Sequence, residues 1–262
     1  KLDAVFAATG PDLVLHAAAY KHVPLMELEP AEAIRTNVGG TRNVVRACVA
    51  HGVKRFVLIS TDKAVAPANV MGLTKRLAER VTLEAARDAG LNAVAVRFGN
   101  VLGSRGSVVP IFAEQLRRGG PLTVTDPEVT RYFMTIPEAA RLVLQAQAIG
   151  RPGDIFVLEM GEPVRIADLA RKMIALAGVP ADIAYVGMRP GEKLHEELVG
   201  GTETLAATGR EKIQRVERVE MPSAGFGERI DRLLAAADGG NPEGLRDALA
   251  EIEPASSVGQ DR

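Results

Sequence analysis

The sequence predicts an α/β protein built on a doubly wound parallel sheet. Short apolar segments alternate along the chain with longer segments whose apolar residues recur at helical spacing. A strand that is covered by helices on both faces reads as a continuous apolar run, and RFVLIS at 55–60 is such a run. Strand–helix alternation joined by right-handed crossovers produces this architecture.

The first half of the chain supplies three predicted strands, at 13–18, 55–60 and 91–98. Residues 1–10 lack the basic head and apolar core of a secretion signal. They resemble the end of a helix instead. Helical spacing predicts helices over 30–51 and 71–89. Each is followed by a glycine, Gly52 or Gly90, as is common at helix C-termini.

After Gly99 the elements become shorter, and residues 99–106 form a predicted glycine-rich loop. We expect residues 209–220 to form a solvated strand or helix face, and residues 252–262 to form a disordered tail. The remaining predicted elements are helices at 108–118, 137–149, 164–177, 224–237 and 242–252, and strands at 122–125, 132–136, 154–160 and 183–186.

The composition excludes several classes of protein. The 262 residues include 32 basic and 33 acidic side chains, so no basic face for nucleic acid is indicated. Cys48 is the only cysteine, which excludes an intramolecular disulfide framework, and the four histidines lack ligand spacing, so we expect no metal site. No apolar run reaches the roughly 18 residues of a membrane helix. The sequence therefore predicts a soluble, intracellular domain.

Polar residues follow the second predicted strand at the edge where open α/β sheets bind ligands. Thr61, Asp62 and Lys63 stand there, and the carboxylate beside the amine is either an acid/base pair or an ordinary polar helix start. Lys75, near the start of the next helix, could reach a ribose or phosphate, although an ordinary solvated lysine is the favoured interpretation of this residue taken alone.

Further along, Arg131 and the turn RPGEK at 189–193 place guanidinium groups where they could grip a diphosphate. A plain turn before a helix is the alternative interpretation. Asn100 lies among glycines at the end of the third strand, where a ligand could approach the backbone closely.

Taken together, these residues resemble the CapD-type polysaccharide biosynthesis proteins, which are UDP-N-acetylglucosamine 4,6-dehydratases of the extended short-chain dehydrogenase/reductase superfamily. The resemblance implies a Rossmann domain at 1–104 and 130–158, and a smaller nucleotide-sugar-binding domain at 105–129 and 159–251. It is carried by HAAAYKHVPLME (16–27), NVGGTRNV (37–44), STDKAVAPANVMGLTKR (60–76), RFGNVLGSRGSVVPIF (97–112), TRYFMTIPEA (130–139) and RPGEKLHEEL (189–198).

The family reaction moves a hydride from C4 to C6 of the sugar through bound NADP or NAD, with loss of water. By this resemblance, Lys63 is the base at C5, Asp62 is the acid at the C6 hydroxyl, and Thr61 lies near C4. Lys75 corresponds to the lysine that binds the nicotinamide ribose. The resemblance assigns the cofactor to Ala17, Ala18, Ala19, Lys75, Phe98 and Asn100, and the UDP-sugar to Lys21, His22, Asn100, Ser107, Arg131, Arg189 and Glu192.

The sequence departs from the superfamily pattern at two points. Met71 stands four residues before Lys75, where the superfamily has a tyrosine, and a thioether has no proton to exchange. No G-x-G-x-x-G precedes the first strand, so we expect the first strands of the Rossmann domain to be missing and the chain to be a fragment of a longer protein.

Two alternative functions stay open: a nucleotide-sugar 4-epimerase, and a non-catalytic module that binds nucleotide sugars. An epimerase needs the tyrosine and has no use for the Asp62–Lys63 pair, so the sequence favours the dehydratase. The resemblance further implies a cytoplasmic homo-oligomer, in a parent protein that can be anchored at the inner face of the cell membrane.

Overall fold

The computed structural model describes residues 1–201, 203–217, 219, 221–239 and 242–252. A π-helical turn at Ile34–Gly39 joins two of the helices, and a 3-10 turn spans Asp62–Ala64. The other elements are α1 Leu2–Thr9, β1 Leu13–His16, α2 Val23–Leu28, α3 Pro30–Ala33, α4 Gly40–Ala50, β2 Arg55–Ile59, α5 Val70–Asp88, β3 Asn92–Arg97, β4 Asn100–Val101, α6 Val108–Arg117, β5 Leu122–Val124, β6 Thr130–Arg131, β7 Phe133–Met134, α7 Ile136–Ile149, β8 Ile155–Leu158, β9 Val164–Arg165, α8 Ile166–Ala177, β10 Ile183–Tyr185, β11 Leu205–Ala207, β12 Ile213–Val216, α9 Phe226–Gly239 and α10 Pro242–Ile252.

The main sheet has the strand order β1-β2-β3-β8-β12-β11. Its first four strands are parallel, which confirms the predicted fold class. β12 and β11 then continue the sheet in antiparallel pairing, so the sheet is mixed at this edge. The carboxyl ends of β1, β2 and β3 therefore lie side by side, as the argument for a ligand site requires.

Helices cover both faces of the sheet, because side chains alternate in direction along each strand. On β2, Phe56 and Leu58 pack in one cluster with residues of α4 and α5. Val57 points to the opposite face and packs in a second cluster with residues of α7. All three side chains are fully buried, which explains why the strand reads as an unbroken apolar run.

Several elements differ locally from those predicted. The helix expected over 30–51 is divided into α3, the π-helical turn and α4. The strand expected over 132–136 is shorter in the structure: only β7, at Phe133–Met134, lies in that range, and the separate strand β6 precedes it. Thr135 then caps α7 through its side chain. α2 lies in a segment without long helical periodicity, and the sequence analysis did not predict it.

A smaller cluster lies beyond Asn100. It is built from α6, α8 and the parallel pair β5–β10, and its centre is Phe112, Leu122 and Ile166. β6 pairs with β9 in antiparallel fashion and β4 pairs with β7, which brings Arg131 back towards the end of β3. This arrangement delivers the second half of the site.

Four elements that the sequence analysis assigns to the second domain, β11, β12, α9 and α10, lie in the main sheet or pack against helices of the first half of the chain. β11 and β12 hydrogen-bond to the main sheet. Ile213 and Val216 are buried, so the segment expected to be a solvated face contributes to the core. α9 packs with α10 in one cluster against α3 and α5. The domain boundaries themselves stay a prediction, and the tail expected at 252–262 lies, beyond Ile252, outside the described residues.

Candidate functional site

A cavity of about 420 Å³ lies at the carboxyl ends of β1, β2 and β3. Of the predicted site residues, Asp62 and Ala18 do not line it; Asp62 is buried directly behind it. The structure thus brings together residues that are up to 175 positions apart in the chain. The predicted residues that line it are Ala17, Ala19, Lys21, His22, Thr61, Lys63, Lys75, Phe98, Asn100, Ser107, Arg131, Arg189 and Glu192.

The segment Thr61–Lys63 turns sharply where β2 ends. Asp62 N donates to Phe98 O at 3.1 Å, which ties the segment to the end of β3. One carboxylate oxygen, Asp62 Oδ1, accepts three hydrogen bonds: from Thr61 Oγ1 at 2.8 Å, from Lys63 N at 2.9 Å and from Lys63 Nζ at 3.0 Å. The amine therefore faces the cavity in direct contact with a buried carboxylate.

The second carboxylate oxygen, Asp62 Oδ2, has a different environment. It is buried and has no hydrogen-bond partner among the described residues. A Cβ atom at Gly99 would lie 3.2 Å from it and 3.0 Å from Tyr132 Cβ, so glycine keeps the space beside the carboxylate open. An oxygen without a donor is where a carboxylic acid can carry its proton.

Lys75 lies beneath the same edge of the sheet. Its ammonium donates to Ile59 O at 2.7 Å, and its side chain is buried. Burial lowers the pKa of Lys75 from 10.5 to about 8, although the nearby Glu79 carboxylate opposes this shift. Lys75 also lowers the pKa of His16 to about 4, together with the stronger effect of that histidine's burial.

The lowered pKa of Lys75 predicts how stability depends on pH. Between pH 8 and 10.5 the unfolded chain holds a proton on this lysine that the folded chain has released, so this lysine makes the free energy of unfolding rise with pH. Lys75→Met should remove that rise, on the order of 2 kcal/mol between pH 7.5 and 10. Urea unfolding at both pH values tests this, with exposed Lys172→Met as the control. Parallel pH dependences for wild type and Lys75→Met would contradict the assignment.

The loop at 17–22 is held in place by an asparagine that the sequence analysis did not single out. Asn37, on the π-helical turn, accepts from Tyr20 N at 2.8 Å and donates to Tyr20 O at 3.0 Å. Its amide also contacts Thr74 Oγ1 at 3.0 Å on α5. Both backbone groups of one loop residue are thereby fixed to the helix that carries Lys75.

The same loop reaches across the cavity. Lys21 Nζ donates to Ser104 Oγ at 3.1 Å, and burial and the positive charge of Lys63 lower the pKa of Lys21. The His22 ring packs on Gly106, where a Cβ atom would come within 2.5 Å of it. Gly106 also has φ +69°, which favours glycine, so both reasons require glycine here.

The basic residues of the second half face the cavity from β6 and the turn at 189–193. Arg131 is fixed by its Nη1 group, which donates to Thr130 O at 2.7 Å and Leu194 O at 3.2 Å. Arg189 lies exposed on the turn that Glu192 closes. Ser107 Oγ is buried and has no hydrogen-bond partner in the described part of the chain. Two guanidinium groups and the Ser107 hydroxyl thus lie together on this side of the cavity.

Two further residues of the cavity stand out. Met71, at the position of the superfamily tyrosine, lines the cavity and is 3% exposed. Glu196, which the sequence analysis missed, lies between Lys63 and Arg131. Its motif, HEEL, contains two adjacent glutamates of which only one is buried, and nothing in the sequence distinguishes them.

The described residues contain no group of three histidine, cysteine, aspartate or glutamate side chains placed to hold a metal ion. Within that same part of the chain, every helix is too short or too polar to cross a membrane.

Comparison with known proteins identifies relatives along most of the chain. The "Probable polysaccharide biosynthesis protein EpsC" of Bacillus subtilis (strain 168) is 57% identical over 199 residues, which are 75% of this chain and 33% of EpsC. CapD of Staphylococcus aureus, a capsular polysaccharide biosynthesis protein, is 57% identical over 78% of this chain and 35% of its own length. A UDP-glucose 4-epimerase of Rickettsia canadensis (strain McKiel) is 44% identical over 77% of this chain and 60% of its own length. The chain thus spans about a third of EpsC and CapD.

Solved structures agree with the fold described above. Pen from Bacillus thuringiensis superposes with a TM-score of 0.76 and 35% identity, over 84% of this chain and 70% of Pen. A double mutant of DesIV, a dTDP-glucose 4,6-dehydratase from Streptomyces venezuelae solved with NAD and DAU bound, gives a TM-score of 0.70 and 25% identity over 76% of this chain and 67% of DesIV. The family described as "Polysaccharide biosynthesis protein" matches residues 1–218. The chain therefore belongs to the polysaccharide biosynthesis protein family and has the Rossmann fold of the extended short-chain dehydrogenases/reductases.

Proposed function

We propose that this chain carries the catalytic centre of a nucleotide-sugar 4,6-dehydratase that acts on UDP-N-acetylglucosamine. The observation that carries the proposal is the Asp62–Lys63 pair at the end of β2. A buried carboxylate with one unpartnered oxygen touches an amine that faces a 420 Å³ cavity. Dehydration needs an acid and a base side by side, and this pair supplies both.

In the proposed reaction the C4 hydroxyl gives its proton to a water, because Met71 cannot accept it, and is oxidised to a ketone, which makes the C5 proton acidic. C5 then loses that proton, the C6 hydroxyl leaves as water, C6 is reduced, and C5 regains a proton. The net change is loss of one water. Lys63 Nζ would take the C5 proton, and Asp62 would protonate the leaving C6 hydroxyl.

The reactive protonation states are one proton transfer away from the ion pair. Lys63 Nζ and Asp62 Oδ1 are 3.0 Å apart, so moving a proton between them converts an ammonium and a carboxylate into an amine and a carboxylic acid. Exclusion of water by a bound sugar favours the neutral pair, because burial disfavours both charges. Thr61 donates to the same carboxylate oxygen and so lies beside the pair, where it would orient the C4 hydroxyl.

The inner end of the cavity fits the nicotinamide half of NAD or NADP. Ala17 and Ala19 offer little steric hindrance, and Phe98 adds an apolar surface. The Lys75 ammonium, fixed by Ile59 O, would bind the ribose hydroxyls. When bound, the nicotinamide supplies the hydride acceptor and donor. DesIV, whose solved structure contains NAD, supports this assignment.

The outer end fits a nucleoside diphosphate. Arg131, Arg189 and Lys21 line this end, and guanidinium groups donate in pairs to phosphate oxygens. Ser107 and Asn100 would complete the hydrogen bonds to the sugar or diphosphate.

A 4-epimerase is the second candidate, since a relative bears that name. Epimerisation needs no proton at C6, so it leaves Asp62 without a use. Met71 occupies the position of the tyrosine that epimerases use, and it cannot accept the C4 hydroxyl proton. We therefore favour dehydration. A cytoplasmic location, membrane anchoring of the parent protein and self-association belong to the same proposal.

The test uses the protein translated from the complete reading frame, since CapD and EpsC are about three times as long as the segment they share with this chain. UDP-N-acetylglucosamine is incubated with NAD or NADP, and products are followed by mass. We expect loss of one water, giving a 4-keto-6-deoxy sugar. Inversion at C4 without water loss would instead establish the epimerase, and a bound but unchanged UDP-sugar would indicate a binding module.

A further inference from the structure

Glu196 is a buried carboxylate that the proposed reaction does not use. The residue is 8% exposed, although it lies on a segment whose neighbours His195 and Glu197 are exposed. Glu196 Oε1 lies 3.5 Å from Lys63 Nζ and 3.8 Å from Arg131 Nε. A single oxygen thus faces both the proposed base and a proposed diphosphate ligand.

The backbone holds Glu196 at this point firmly. Thr130 N donates to Leu194 O at 3.1 Å, and Arg131 Nη1 donates to the same carbonyl at 3.2 Å. The Thr130 hydroxyl contacts His195 Nδ1 at 2.9 Å. These contacts hold Leu194 and His195 against β6. The next residue, Glu196, therefore has a fixed position, with its carboxylate near Lys63 at the end of β2.

The charges around Lys63 make this placement consequential. Asp62 contacts Lys63 from the same turn, Glu196 from the segment along β6, and Asn100 Oδ1 from the end of β3 at 3.4 Å. Lys21 adds a positive charge from the loop at 17–22. The two carboxylates, Asp62 and Glu196, thus face the three cations Lys63, Arg131 and Lys21. Removing Glu196 would increase the excess of positive charge next to the reacting sugar.

We infer that Glu196 is a positioning residue that links the Asp62–Lys63 pair to Arg131, the proposed ligand of the diphosphate. Its carboxylate stabilises the ammonium that forms on Lys63 when the C5 proton arrives, and it orients the Arg131 guanidinium for the diphosphate. The inference rests on the proposed function and extends it. Glu196 lies on the segment that follows the 189–193 turn, whose Arg189 also lines the cavity. Binding of the nucleoside diphosphate at that turn is therefore coupled to the position of Lys63.

The experiment compares Glu196→Gln with Glu197→Gln in the full-length protein. Glu197 is the matched control, because its side chain is 47% exposed and it pairs only weakly with Lys193 at 3.8 Å. In Glu196→Gln we expect kcat to fall about tenfold. The acid limb of its pH profile should move to lower pH, because protonation of the Asp62–Lys63 pair becomes less favourable once one of the two nearby carboxylates is neutral. KM for the UDP-sugar should rise, since Arg131 loses its orienting partner.

Glu196→Asp keeps the negative charge, so it distinguishes the effect of the charge from that of altered packing. We expect this variant to return the acid limb towards its wild-type position. A Glu196→Gln enzyme whose pH profile and KM match those of Glu197→Gln would overturn the inference. So would a loss of kcat with an unchanged profile, which is what a purely structural role produces.

A binding measurement separates this inference from the proposed function. Affinity for UDP-N-acetylglucosamine is measured by calorimetry for the same three variants. If the wild type binds the nucleotide sugar but forms no product, the proposed function fails, and affinity alone then decides on Glu196. Weaker binding in Glu196→Gln than in Glu197→Gln supports its link to Arg131, and equal binding overturns it.

Discussion

Lys63→Arg should bind UDP-N-acetylglucosamine nearly as well as the wild type but dehydrate it about 10²- to 10⁴-fold more slowly. Arginine keeps the positive charge between Asp62 and Glu196, so the ion pairs that fix the turn after β2 can persist. It cannot give up its proton in a protein, however, and so cannot accept the proton from C5. Product formation followed by mass, beside calorimetric binding of the nucleotide sugar, measures the two effects separately.

Lys63→Ala should abolish dehydration as well, while leaving binding of the UDP-sugar nearly intact. It also removes the cation beside Asp62, whose side chain is 1% exposed, so some loss of stability is expected with it. Lys54→Ala is the control, because Lys54 forms an exposed pair with Asp12 far from the cavity. Dehydration that persisted in Lys63→Arg would show that another group removes the C5 proton.

Much of the site could be predicted because the proposed catalytic residues are consecutive in the sequence. The end of the apolar run locates the end of β2, and the next residues are Thr61, Asp62 and Lys63. Parallel strands bring their carboxyl ends together at one edge of the sheet. The main strands were predicted for the same reason. β2 and β3 are buried on both faces, so their central residues are apolar without interruption, whereas β1 is apolar although Leu15 is exposed.

What the sequence does not reveal depends on contacts between distant segments. Glu196 is buried because Leu194 is fastened to β6, and its neighbour Glu197, of identical chemistry, is exposed. Residues 209–220 were predicted as a solvated strand or helix face, and the burial of β12 was missed because Ile213 and Val216 are three positions apart, which is a helical spacing and not a strand alternation. Asn37 acts from a π-helical turn that breaks an otherwise regular helical pattern.

A buried ion pair behind the site leads to the second large expected effect. Arg97, 1% exposed at the end of β3, donates to both carboxylate oxygens of Glu79 at 2.8 Å and to both of Glu203 at 2.9 Å. Ser60, directly before Thr61, donates to Glu79 at 2.5 Å. The network therefore joins the ends of β2 and β3 to α5, immediately beneath the proton-transfer pair.

We expect Arg97→Met to lower the free energy of unfolding by about 3–5 kcal/mol at neutral pH, since it removes the stronger-acting of the two positive charges, Arg97 and Arg76, that act on the buried Glu79 carboxylate. In the wild type, burial favours the neutral acid, but the charge and hydrogen bonds of Arg97 and the Ser60 hydroxyl outweigh it and hold the pKa of Glu79 below its usual value. That contribution to stability is present above the ordinary pKa of 4.5 and is lost as pH falls through the lower, folded value.

The variant should respond to pH in the opposite sense. Without Arg97, burial dominates and raises the pKa of Glu79, so the carboxyl of the folded variant takes up a proton before that of the unfolded chain. The stability deficit of Arg97→Met should therefore shrink between pH 7.5 and pH 5, and Glu79→Gln added to it should recover part of the loss at neutral pH. Urea unfolding at the two pH values measures this, with the exposed Arg117→Met as a control that should change little. A deficit of equal size at both pH values would mean that lost packing, and not the stranded carboxylate, accounts for the effect.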